Sequence, residues 1–77
     1  MNTLNVIKND ELSSTAKVLY IYLVKMAEGE NNVALLDYQL TRDLNVSQFS
    51  LNKSLQGLEE QKLIQKTNNK YFNNYIL

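Results

Sequence analysis

The sequence predicts a mostly α domain with a small β-hairpin, an α+β fold of three helices plus a two- to three-stranded sheet. Apolar residues recur at helical spacing between Leu12 and Ala27. Two shorter helical patterns, parted by the break Asn45-Val46-Ser47, fill Asp37 to Leu63. Beyond Ile64 the apolar period drops to two, as in strands with one covered face. The 77 residues allow one domain with a single modest core, so net stability is small and a dimer or partner is a plausible aid.

Residues 1–11 carry Leu4, Val6 and Ile7 among polar neighbours and read as an N-terminal arm, either a short strand or a loose segment on the first helix. The first helix, 13–28, opens with Ser13 as the capping side chain and Leu12 just outside it. Leu12, Ala16, Leu19, Tyr20, Leu23, Met26 and Ala27 share one broad face. Gly29 supplies the left-handed residue that ends the helix. Ile21 and Val24 lie roughly opposite the apolar face. Either the arm covers them, or they form a seam with a second copy or another partner.

Glu30-Asn31-Asn32 is a turn, and Val33–Leu36 a brief strand leading to Asp37, a good N-cap. Helices over 37–45 and 47–62 follow. Leu40, Leu44, Val46, Leu51, Leu55 and Leu58 are spaced so that these two helices share one core. Val46 and Leu51 form a hydrophobic staple around the Ser47 cap, and Leu51, Leu55, Leu58 and Lys62 make the stripe of the longer helix. Gly57 in its middle costs about 1 kcal/mol relative to alanine. Residues 63–77 make a hairpin with strands Ile64–Thr67 and Tyr71–Leu77. Asn68-Asn69 is its turn, because asparagine tolerates the positive φ of a tight hairpin.

The inventory excludes much chemistry. With no cysteine and no histidine, there are no disulfides, no thiolate metal sites and no Ser-His or Cys-His nucleophile. Glu59 and Glu60 diverge by about 100° on a helix, so they are not a facing acid/base pair. No glycine-rich phosphate loop is present. An enzyme is not expected, and no cofactor or metal is implied. The N-terminus lacks the build of a signal peptide, and the apolar run Val18–Val24 is far shorter than the roughly 20 residues of a membrane span. A cytoplasmic protein without membrane contact is the expectation.

Two helices joined by a three-residue break have the sequence shape of a helix-turn-helix, whose second helix is normally offered to a DNA groove. With the hairpin behind it, VALLDYQLTRDLNVSQFSLNKSLQGLEEQKLIQKTNNKYF resembles the winged helix-turn-helix family over about residues 13–77. Within it, DLNVSQFSLNKSLQGLEEQKLI looks like the turn, the recognition helix and the start of the wing. LSSTAKVLYIYLVKMAEG is similar to the first helix of replication-initiator and replisome-loading proteins from plasmids and phages of low-GC bacteria. The resemblance implies a DNA-binding protein in transcription control or replication initiation, with double-stranded DNA and a host or replication protein as partners. One departure stands out: recognition helices of this type commonly carry several arginines, and this one offers a single lysine.

With the core stripe inward, Gln48, Phe49, Asn52, Lys53, Gln56 and Glu60 lie on the outward face or its flanks. Gln48, Asn52 and Gln56 carry the paired donor and acceptor that fit adenine in the major groove. Lys53 suits a phosphate or guanine, Phe49 a thymine methyl, and the helix start at Ser47 a phosphate. Each also has a plainer reading: solvated amides on a helix face, and a phenylalanine tucked against Tyr38. No acidic residue lies between Leu44 and Leu58 to offset Lys53. The hairpin tip, with Lys66, Asn68, Asn69 and Lys70, suits backbone contact, or is a solvated turn with edge-protecting lysines.

The chain is formally neutral but unevenly so. Residues 1–45 hold four basic against six acidic side chains, and residues 46–77 hold four basic against two acidic. The helix and wing therefore form the basic half. Neutralising roughly two to four phosphates gives weak monomer binding, so affinity calls for a dimer or a cooperating protein. The competing expectation is a small phage-type protein-interaction module, an inhibitor or adaptor of a host protein, on the same fold.

Overall fold

Side-chain caps set two of the helix starts. Ser13 Oγ accepts from the Ala16 amide at 3.1 Å and Ser47 Oγ from the Ser50 amide at 3.1 Å. Each satisfies a donor that the first helical turn would otherwise leave open. A computed structural model describes residues 3–68 and 72–77. Among these the chain is a small α+β domain with four helices and a three-stranded antiparallel sheet. The order is α1 (Thr3–Ile7), α2 (Ser14–Ala27), β1 (Asn32–Leu35), α3 (Asp37–Leu44), α4 (Gln48–Glu60), β2 (Gln65–Asn68) and β3 (Asn73–Ile76).

The N-terminal arm is therefore a helix, neither strand nor loose segment. Five residues are too few to hold a helix in water. What holds α1 is Val6, 1% exposed and set into the core beside α2, while Leu4 and Ile7 stay in solvent.

In α2 the expected face is buried at Leu12, Ala16, Leu19, Tyr20, Leu23 and Ala27, but Met26 is 41% exposed. Met26 lies in the last turn, at the margin of the face. The left-handed residue that ends α2 is Glu28 (φ 52°), one position before the expected Gly29, which follows with φ 89°. Val24 is half-buried against the core and Ile21 is 41% exposed.

Asp37 is the first residue of α3 and not its cap. Leu36 takes the cap position, and its amide donates to Gln39 Oε1 at 3.1 Å. Asn45 ends α3 in the left-handed region, with the Val46 amide reaching back to the Thr41 carbonyl at 3.1 Å. The same closure ends α4 earlier than 62: Lys62 is left-handed, and the Leu63 amide donates to the Leu58 carbonyl at 3.0 Å. Lys62 thus lies outside the helix and exposed, and buried Ser54 joins Leu51, Leu55 and Leu58 on the inner stripe.

In the sheet, β3 lies in the centre, in the order β1-β3-β2. Val33 and Lys66 both pair with Tyr75, and Leu35 and Asn68 both pair with Asn73. Asn68 is accordingly the last residue of β2 and not part of a two-residue turn. Such a turn would pair Lys66 with Tyr71 and carry Tyr75 past the end of β2. Tyr75, with no exposed surface, instead joins Leu35 and Ile64 in closing the core beneath the helices. No helix among the described residues is long and apolar enough to cross a membrane.

Candidate nucleic-acid interface

Burying Leu51, Ser54, Leu55 and Leu58 leaves the other face of α4 in solvent. Gln48, Phe49, Asn52, Lys53 and Gln56 are all exposed there, Phe49 most of all at 75%. Phe49 is not tucked against Tyr38, itself 65% exposed. The Ser47 hydroxyl, besides capping the Ser50 amide, lies 3.2 Å from Ser50 Oγ, so it is engaged by its own helix.

The amides are not loose. Gln48 Nε2 donates to Asp37 Oδ2 at 3.0 Å and to Asn52 Oδ1 at 2.9 Å. Gln56 Nε2 donates to Glu60 Oε1 at 3.2 Å. Asp37 is the hub of the first group, because its Oδ1 also accepts from Asn73 Nδ2 at 2.8 Å and from the Tyr75 hydroxyl at 3.4 Å. One carboxylate thereby joins the starts of α3 and α4 to the central strand. Burial lifts the Tyr75 hydroxyl to about 12, Asp37's charge adding to the rise, so it stays a neutral donor at ordinary pH.

Lys53 has acidic side chains nearby, Glu60 about two turns on along α4 and Glu11 from before α2. It shares a groove of about 320 Å³ with Glu11 and Glu60, between the start of α2 and the outer face of α4. Gln61 Nε2 donates to Glu11 Oε2 at 2.6 Å across the same end of the molecule. Lys66 is half-exposed on β2. Asn68 ends that strand, and Asn69 and Lys70 lie outside the described residues.

A second exposed constellation escaped the sequence reading. The Arg42 guanidinium lies 5.1 Å from the Tyr38 ring centroid, and its Nε is 3.2 Å from Asp43 Oδ1. The Tyr22 hydroxyl donates to Asp43 Oδ2 at 2.6 Å. The four-residue spacing of Tyr38 and Arg42, which stacks them on one helix face, was the available signal. The hydrogen bond from Tyr22, then that from Arg42, holds the Asp43 carboxyl below its ordinary value. Comparisons with protein-family models, curated proteins and solved structures returned no match.

Proposed function

We propose that the chain is a DNA-binding winged-helix protein, a phage- or plasmid-type transcriptional regulator or replication-initiation factor. In this reading α4 enters the major groove and the β2–β3 hairpin, as the wing, lies along the backbone. The carrying observation is the exposed face of α4, where Gln48, Asn52, Lys53 and Gln56 stand together on a helix whose other side is seated in the core. Lys53 is the one lysine of α4 and Lys66 that of β2. That is little charge, so useful affinity draws on a second subunit, with exposed Ile21 and half-buried Val24 as the candidate seam.

Lys53→Glu and Asn52→Ala are expected to weaken duplex binding while thermal unfolding stays near that of the parent. Binding measured against salt should give a shallow slope, roughly −2 to −4 in log–log form for two to four phosphates. Duplex affinity that is unchanged in both variants rejects the reading.

The second reading, a protein-interaction module that inhibits or adapts a host protein, is favoured by Phe49 and Tyr38 at 75% and 65% exposure. It expects a stoichiometric protein complex lost in Phe49→Ala, with no salt-sensitive duplex affinity.

A further inference from the structure

The hydrogen-bond chain that starts at Asp37 determines which atoms α4 offers outward. An ionised carboxylate only accepts, and Asp37 takes Asn73 and Tyr75 on Oδ1 and Gln48 on Oδ2. The Gln48 amide must therefore turn its nitrogen toward Asp37. The second hydrogen of that nitrogen goes to Asn52 Oδ1, which in turn fixes the Asn52 amide. Among the described residues, Gln48 Oε1 and Asn52 Nδ2 take no hydrogen bond. With this chain intact, both hydrogens of the Gln48 amide are engaged, so Gln48 is outwardly an acceptor only, while Asn52 offers its Nδ2 as a donor. Gln48 thus cannot grip adenine with both ends of its amide, as the sequence alone allows.

We propose, resting on the reading that α4 enters the major groove, that Asp37 is a positioning residue that sets base specificity through Gln48. Held as an acceptor, Gln48 takes a base that presents an exocyclic amine in the groove, adenine N6 or cytosine N4. Guanine O6 and thymine O4 are refused, because two acceptors face each other.

Reversal of the chain provides the test. In an Asp37→Asn variant the new carboxamide keeps its oxygen toward Asn73 and Tyr75 and presents its NH2 to Gln48. Gln48 then turns its oxygen inward and Asn52 turns with it, so Gln48 faces the groove as a donor. Duplexes selected from a random pool identify a site, and the position whose preference is levelled by Gln48→Ala is the one beneath Gln48. There the parent protein is expected to favour adenine or cytosine about ten-fold over guanine or thymine. Asp37→Asn is expected to lose that preference and disfavour cytosine, since an outward donor is met by guanine O6 or N7, thymine O4 and adenine N7. Purine in place of adenine, or pyrimidin-2-one in place of cytosine, removes the amine alone and tells the two sources apart. This arm uses the parent protein and does not depend on the variant folding.

A keto base at that position in the parent site, or a preference unchanged in folded Asp37→Asn, overturns the inference and leaves the DNA-binding reading standing. So does an analogue bound as tightly as the natural base. Absence of any duplex binding by the parent protein overturns both.

Discussion

Tyr22 donates its hydroxyl hydrogen to Asp43 Oδ2 across 2.6 Å, tying the middle of α2 to the last turn of α3. Burial, and then the hydrogen bond and charge of Asp43, push the Tyr22 hydroxyl up to about 12. Its folded value lies above that of an unfolded tyrosine, so the stability it contributes is complete below about pH 10 and is lost as pH rises through the folded value. Spectrophotometric titration is expected to show Tyr22 and Tyr75 ionising near 12. Tyr22→Phe should remove one of these late transitions. A titration curve with both late transitions still present refutes the assignment.

Leu58 is completely buried where α4 meets the core. Leu58→Ala removes the packing of a whole side chain and should cost about 2–5 kcal/mol, a large share of what a chain of this size has. Urea unfolding gives the measurement, with the midpoint falling and the slope unchanged.

Gly57 has no structural need to be glycine. A Cβ built there meets only Leu12 Cδ2 at 3.9 Å, an ordinary contact. Gly57→Ala should therefore stabilise by about 0.5–1 kcal/mol, because alanine loses less backbone freedom in a helix. A lowered unfolding temperature contradicts this.

Phe49 at 75% exposure contributes little to folding. Phe49→Ala should change stability by less than about 0.5 kcal/mol, yet weaken binding to whichever partner α4 meets. Thermal unfolding beside duplex titration and a host-protein pull-down separates the two effects. A large loss of stability places the ring in the core of the fold instead.

What was legible in the sequence was local. Ser13, Ser47 and Asn45 announce themselves because their work is done by hydrogen bonds within a few positions. The helical stripes were readable for the same reason. Thr3–Ile7 was not, since only the burial of Val6 against distant residues makes a helix of it. The hairpin register was misread because Tyr75 answers to Val33 as well as Lys66, and no turn residue reports that constraint. The amide candidates on α4 were visible by type, but their orientation depends on Asp37, Asn73 and Tyr75, up to 38 positions apart in the chain. That Glu11 lines the same groove as Lys53 was hidden in the same way.

The central position of β3 has one more consequence. Its two neighbours do not pair with each other, so among the described residues β3 is the strand that joins a segment preceding α3 to one following α4. Lose β3 and both outer strands are orphaned together, with Tyr75 and the donors that anchor Asp37 gone as well. The way the Gln48 amide faces outward from α4 is thus tied, through Asp37, to Asn73 and Tyr75 of β3.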